Sequence, residues 1–127
     1  MYARHSGFSQ AAKVAIRLFA WACLAALPVL SLVPQAQIER TGLGGHVEHI
    51  LAYGGTAIAV ALTYADRGLV RVILALVVYG GLLEFLQRFS PGRVSSWDDF
   101  AFSAMGVLLG VAALLLSKRL FHRRRLA

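Results

Sequence analysis

The sequence predicts an all-α protein, a four-helix transmembrane bundle with both termini in the cytoplasm. The 127 residues are 58% hydrophobic and only 15% charged, with a mean hydropathy of +0.66. This composition is typical of an integral membrane protein. Four apolar stretches are each about long enough to cross a bilayer. The basic residues are divided unequally between the two ends of these stretches, which favours one orientation.

The predicted spans follow one another with short connections. They cover residues 14–33, 46–64, 69–89 and 98–117, and a basic tail, 118–127, completes a single domain. Pro28 predicts a kink in the first span and Pro34 closes it. Pro91-Gly92 forces a turn after the third. A cleaved signal peptide is the alternative for the first span, but no small-x-small cleavage site follows it cleanly.

The division of basic residues predicts which side of the membrane the termini occupy. An even number of spans puts both termini on one side. Because loops rich in Lys and Arg stay in the cytoplasm, the side with more of them is predicted to be cytoplasmic, in a bacterial inner membrane. Ten of the thirteen lie on the side of the termini (Arg4, Lys13, Arg17, Arg67, Arg71, Lys118, Arg119, Arg123, Arg124 and Arg125) and three on the other (Arg40, Arg88 and Arg93).

Charge limits the possible partners, and cysteine content limits the possible disulfides. The net charge is +7, but the basic residues are dispersed around apolar stretches and fit anionic headgroups better than nucleic acid. We therefore predict membrane lipids as partners and no nucleic acid. The single cysteine, Cys23, excludes an intrachain disulfide. A homo-oligomer or a partner membrane protein stays open, because four spans enclose little volume.

Polar residues gather at the end of the bundle opposite the termini. Glu84 and Gln87 lie one turn apart at the end of the third span, and Arg93 follows in the loop. Ser96-x-x-Asp99 has the form of a capping signature that opens the fourth span. A carboxylate inside an apolar helix is costly, so we interpret this cluster as a site.

Helical spacing adds residues from the second and fourth spans. His46, His49 and Tyr53 share one face of the second span, whereas Glu48 lies on another. A stripe of mostly small residues on the fourth span predicts close helix packing, with Asp99 brought near Glu84 or His49. The stripe consists of Asp99, Ser103, Gly106, Gly110, Ala113 and Ser117.

These residue types permit three kinds of site. In a structural network, Arg93 neutralises Glu84 and Asp99. In a binding pocket, Arg93 grips a phosphate or carboxylate, while His49, Tyr53 and Gln87 supply hydrogen bonds. In an enzyme, the catalytic candidates are Glu84 or His49 as a base, with Asp99 orienting it. His46-Val-Glu-His49 does not match the metalloprotease motif, so neither a metal nor another cofactor is predicted.

Five motifs occur in order within residues 27–116. They are Leu30-Ser-Leu-Val-Pro34, His49-x-x-x-Tyr53, Glu84-x-x-Gln87, Pro91-Gly92-Arg93-x-x-Ser96-x-x-Asp99 and Gly106-x-x-x-Gly110. Their ordered combination resembles the signature of the VanZ-like family of small integral membrane proteins. Many members carry Asp-Lys where this chain has Gly45-His46, and Asn where it has Ser103. The missing lysine alters the charge near His49.

The resemblance implies a helical multi-pass protein with a polar cluster on the outer face. It carries over to Glu84, Gln87, Arg93, Asp99 and His49 in this chain. The namesake of the family is associated with reduced susceptibility to the glycopeptide antibiotic teicoplanin. We predict recognition of an envelope-facing group, which is a lipid headgroup, a lipid-linked cell-wall precursor or an amphiphilic antibiotic. The alternatives are a membrane-embedded enzyme acting on a lipid-linked substrate and a structural subunit packing against a partner membrane protein.

Overall fold

The computed structural model describes residues 8–37 and 41–126 of the chain. Within these residues the chain is helical and contains no strand, which confirms the predicted all-α class with four helices. The basic residues Arg4 and Arg40, used above to predict the orientation, lie outside the described residues. The helices are α1 (Gln10–Leu32), α2 (Gly45–Tyr64), α3 (Leu69–Leu86) and α4 (Trp97–Leu126), with short 3-10 turns at Gln35–Gln37, Ala65–Arg67 and Gln87–Phe89.

The helix bounds lie close to the predicted spans except at the C-terminus. There α4 continues through the predicted basic tail to Leu126. One end of the bundle is formed by the C-termini of α1 and α3 and the N-termini of α2 and α4. We call it the cleft end, because a cleft opens there. The opposite end, where α4 finishes, is the tail end.

Three helical segments in the described part of the chain are long and apolar enough to cross a membrane, which indicates a membrane protein. They are Gln10–Leu32, Leu69–Phe89 and Trp97–Arg124. The helix α2 is not among them, although its 20 residues span about 30 Å. Composition sets α2 apart, because it carries polar side chains such as His49 and Thr56. Polar side chains at membrane depth are tolerated where other helices cover them.

The helix α2 lies at the centre of the bundle. It packs against α1, α3 and α4, and its contact with α4 is the most extensive. Glycines bring the two backbones together: a Cβ atom at Gly106 would lie only 2.7 Å from the carbonyl oxygen of Ile50. A Cβ atom at Gly110 would overlap the carbonyl oxygen of Gly54. Both glycines belong to the predicted small-residue stripe, and so does Ser103, which is buried in the same contact.

The stripe does not stay buried along its whole length. Ala113 is exposed and Ser117 is half-buried. The close approach of α2 and α4 is thus concentrated in the half of α4 nearer the cleft end. The carboxylate at the head of the stripe, Asp99, is carried with it to the N-terminus of α2.

A proline within α1 is compensated by a side chain from α3. Pro28 has no N–H, so the carbonyl of Leu24, four residues earlier, loses its usual intrahelical donor. The hydroxyl of Tyr79 donates a hydrogen bond to that carbonyl, at 2.8 Å. In a bilayer an unsatisfied carbonyl is costly, so this bond ties α1 to α3 as well as repairing the helix.

Candidate functional site

A cleft of about 890 Å³ opens at the cleft end of the bundle. A volume of this size holds a drug-sized ligand. Apolar side chains such as Leu27, Leu30 and Leu51 form part of its wall. Its polar lining comprises Ser31, Thr41, His46, Glu48, His49, Tyr53, Gln87, Arg93, Ser96 and Asp99. The cleft is therefore amphipathic, with most of the predicted site residues around it.

One wall of the cleft is built around Asp99. Its Oδ1 atom lies 3.8 Å from Nε2 of His49 and 3.7 Å from Nε2 of His46. The ring of His46 is also stacked on Phe102, with the ring centroids 4.1 Å apart. The α2–α4 contact produces this arrangement, because it sets the first turn of α4 beside the first turn of α2. Of the two neighbours predicted for Asp99, the structure pairs it with His49.

Ser103 fixes the orientation of the His49 ring. The Oγ atom of Ser103 lies 3.0 Å from Nδ1 of His49, on the side of the ring away from the nitrogen that faces Asp99. Asp99, His49 and Ser103 are the residue types of a serine hydrolase triad, but the two ring nitrogens are used the other way round. Ser103 is only 3% exposed and does not line the cleft. It is thus a positioning residue and not a nucleophile.

Tyr53 and Gln87 form the floor of the cleft, and each is only 3% exposed. The Tyr53 ring lies against Gly80 of α3, where a Cβ atom would be 3.0 Å from Cε1 of the ring. Any side chain at this position would press against the ring. Ser31 and Ser103 lie beside the Tyr53 hydroxyl. The floor thus presents a phenol and an amide at the base of the amphipathic cleft.

Arg93 has partners other than those expected from the sequence. The structural-network hypothesis has Arg93 neutralise Glu84 and Asp99, but in the described part of the chain it forms no ion pair with either. Instead its Nη2 donates to the carbonyl of Leu30 at 2.6 Å and its Nε donates to the carbonyl of Val33 at 3.2 Å. A cation at a helix C-terminus is favourable, because the last carbonyls carry partial negative charge.

The reason for this contact is again a proline. Pro34 cannot donate to the carbonyl of Leu30, and Arg93 supplies the missing donor. Ser90 adds a third bond, from its hydroxyl to the carbonyl of Leu32 at 2.6 Å. Loop 90–96 therefore holds the C-terminus of α1 in place. Sequence reasoning missed this role. The signal for it was Pro34 just beyond the end of an apolar helix, because a proline there leaves a helix carbonyl without a backbone donor.

Glu84 lies behind the cleft wall rather than in it. It is 7% exposed and accepts a hydrogen bond from the backbone N–H of Ser96 at 2.6 Å. Ser96 in turn caps α4, because its hydroxyl accepts from the N–H of Asp98 at 3.1 Å. Glu84 thus positions the start of α4 from the end of α3. This contact makes it a positioning residue, in place of the base or ligand contact expected from the sequence.

Glu48 belongs to the cleft lining although the sequence set it apart from His49. Its Oε1 atom accepts from the Thr41 hydroxyl at 2.6 Å and from the Thr41 N–H at 3.0 Å. These bonds anchor the chain just before α2. Ser31, Thr41 and Glu48 are the polar cleft residues that the sequence analysis did not assign to the site. Nothing in their local pattern distinguishes them from ordinary capping and loop residues.

The cleft combines a cation, a carboxylate flanked by imidazoles, a second carboxylate from Glu48, a phenol and an amide. Such a set can bind an anionic group and hydrogen-bond a polar one. Within residues 8–37 and 41–126, no group of three His, Cys, Asp or Glu side chains is arranged to hold a metal ion. Comparison of the chain with models of protein families, with curated proteins and with solved structures found no match.

Proposed function

We propose that this protein is a multi-pass protein of the bacterial inner membrane whose cleft binds an anionic amphiphile from the cell envelope. The ligand class comprises a lipid headgroup, a lipid-linked cell-wall precursor and an amphiphilic antibiotic. The observation that carries the proposal is the cleft itself, which places the Arg93 guanidinium and the His49–Asp99 pair around one amphipathic space of about 890 Å³. Charged side chains that are partly buried in a membrane bundle are costly, and a shared cavity that binds a ligand gives a reason for keeping Arg93 and Asp99 there.

Each residue has a role in this proposal. Arginine has five N–H donors, and the two bonds to α1 carbonyls use two of them. The remaining donors of Arg93 bind the phosphate or carboxylate of the ligand. His49, Tyr53 and Gln87 hydrogen-bond its polar groups, and Asp99 orients His49. The apolar wall accommodates the acyl or isoprenoid part.

Orientation and motif position support the same proposal. With the basic tail end in the cytoplasm, the cleft end faces outward, where lipid-linked precursors and drugs arrive. The chain segments that carry the VanZ-like resemblance also meet around the cleft: Ser31, His49, Tyr53, Gln87, Arg93 and Asp99 all line it. This convergence supports, as part of the proposal, a VanZ-like type of membrane protein.

The proposal is tested by identifying the lipids that co-purify with the protein. We compare wild type with R93Q by mass spectrometry of the extracted lipids. Because the variant removes a charge-assisted contact from the cleft alone, we expect at least one bound anionic species to fall by roughly tenfold or more. The control is R88Q. Arg88 is exposed near the cleft end of the bundle, where its guanidinium lies over the Phe85 ring, and it does not line the cleft.

A double variant separates ligand binding from the structural role of Arg93. Replacing Pro34 by alanine allows α1 to continue and gives the Leu30 carbonyl a backbone donor. The P34A/R93Q protein should therefore regain the thermal stability lost in R93Q without regaining the lipid. If P34A/R93Q binds as much anionic lipid as wild type, the cleft is not an anion site.

A membrane-embedded enzyme is the second candidate, and the geometry of His49 favours it. When Nδ1–H of His49 donates to Ser103, Nε2 is unprotonated and can act as a base beside Asp99. Reconstituted wild type and D99N protein, incubated with envelope lipid extract, distinguish the candidates. A new lipid mass formed by wild type alone indicates catalysis, whereas equal binding with no new mass indicates a binding protein.

A further inference from the structure

A second groove, of about 750 Å³, lies toward the tail end between α1, α2 and α3. Its walls are mostly apolar and include Trp21, Leu24 and Leu76. Two cations, Arg67 and Arg71, lie one turn apart at its tail-end edge. This groove is on the opposite half of the bundle from the cleft and shares none of its residues.

The groove has defined ends and an ordered wall. The Nε1 atom of Trp21 donates to the Tyr64 hydroxyl at 3.0 Å, which fixes the indole across the groove. Nη1 of Arg71 donates to the Arg67 carbonyl at 3.4 Å, which places the Arg71 guanidinium beside the Arg67 backbone. Tyr79 lies eight residues beyond Arg71 on α3, about 12 Å further into the membrane. Cations thus stand at one end of an apolar trough.

We propose that this groove binds a single anionic phospholipid. The phosphate pairs with Arg67 and Arg71 at headgroup depth, and an acyl chain lies along Trp21 toward Tyr79. Charge complementarity selects this occupant, since basic pockets between membrane helices bind anionic headgroups. A partner transmembrane helix fits less well, because it needs about 30 Å of apolar surface and not a trough of about 12 Å ending in two cations.

The acidic residue nearest in sequence lies outside the groove. Asp66 is exposed in the same turn as Arg67 and does not line the groove. In the orientation proposed above, the groove opens to the cytoplasmic leaflet. Its selectivity for an anionic headgroup follows from the two arginines in either orientation.

Trp21 is the reporter for the test. The chain has two tryptophans, and W97F leaves Trp21 as the only one. The full-length W97F protein is reconstituted in phosphatidylcholine vesicles that contain a small, equal fraction of acyl-brominated phosphatidylglycerol or acyl-brominated phosphatidylcholine. Bromine quenches tryptophan on contact, so the ratio of the two quenching values measures headgroup selectivity next to Trp21.

We expect phosphatidylglycerol to occupy the site with roughly tenfold preference over phosphatidylcholine, and this preference to disappear in R67Q/R71Q. The matched control is R119Q/R123Q, which removes the same charge from the tail end at residues outside the groove. It should keep the preference. Native mass spectrometry of the same variants in detergent, with equal amounts of both lipids, gives an independent count of bound phosphatidylglycerol.

Two results would overturn the proposal. One is equal quenching by both lipids in the wild-type groove. The other is a loss of preference that is as large in R119Q/R123Q as in R67Q/R71Q, which would mean attraction by the general positive charge of the tail end. A dimer mass with equal quenching would assign the groove to a second copy of this chain instead. A loss confined to R67Q/R71Q supports the lipid site.

Discussion

Two prolines in and just after α1 explain two side-chain contacts that otherwise look unrelated. Pro28 removes the donor for Leu24, and Tyr79 supplies one. Pro34 removes the donor for Leu30, and Arg93 supplies one. In each case the chain exchanges a bond within α1 for a bond from α3 or its following loop. The first helix is therefore fastened to the bundle at the positions where its own hydrogen bonding fails.

A double-mutant cycle tests this compensation at Pro28. We expect Y79F to lower the free energy of unfolding by about 1–2 kcal/mol, because the Leu24 carbonyl loses its donor. In the P28A background the same change should cost much less, since the alanine introduced there supplies the backbone N–H. The measurement is thermal or denaturant unfolding in detergent. Equal costs in both backgrounds would mean that Tyr79 acts only by packing.

Helical periodicity predicted which side chains converge, but not all of their partners. His49, Gln87 and Asp99 lie near helix ends and Tyr53 lies on the same face of α2 as His49, so helix faces and topology were sufficient to bring them together. Arg93 lies in a loop whose path toward α1 depends on tertiary contacts, and no local pattern records that path. For this reason the structural-network hypothesis named carboxylates as the partners of Arg93, where the structure has the carbonyls of Leu30 and Val33.

At the scale of helices, the α2–α4 contact determines where the cleft residues lie. Its glycines remove the side chains that would hold the two backbones apart, so Ile50 and Gly54 touch Gly106 and Gly110 directly. This approach places Asp99 within 4 Å of His49, at 3.8 Å. The small-residue stripe was visible in the sequence, but its partner helix was not, because three other helices could have faced it.

A pair of alanine substitutions tests the contact. In G110A the added Cβ atom must push the Gly54 backbone away, so we expect unfolding to become easier by about 1–3 kcal/mol. The control is G55A in α2, where nothing lies within 4 Å of the added atom. That variant should be neutral or slightly stabilised, since alanine favours a helix. Similar melting temperatures for the two variants would contradict the contact.

At the scale of the whole molecule, the structure explains why the sequence of α2 has a lower hydropathy than those of its neighbouring helices. Most of its small and polar residues between Tyr53 and Ala61 are buried against the other helices, with Gly55 as an exception. Sequence hydropathy alone ranks the spans by their lipid-facing character. It therefore identifies α1, α3 and α4 readily, whereas the central helix is recognised by length and by its place between turns.

The orientation of the bundle is tested by labelling single cysteines from one side of the membrane. The background is C23A, because Cys23 is the only native cysteine. Val94 is 82% exposed in the loop at the cleft end, and Asp66 is exposed at the tail end. We expect an impermeant maleimide added to intact spheroplasts to label V94C and not D66C. The reverse pattern would place the cleft in the cytoplasm.

The fastening of α1 has a consequence for how the cleft fills. The helices α2 and α4 pack backbone against backbone, so their contact cannot move without steric overlap. The end of α1 near the cleft is held by hydrogen bonds from the side chains of Ser90 and Arg93. The first helix is thus the wall of the cleft that can move most easily, and in the proposed function the Arg93 guanidinium that holds it also binds the anion. In that proposal, a bound ligand should strengthen the contact of Arg93 with α1, so that ligand binding and closure of the cleft are coupled.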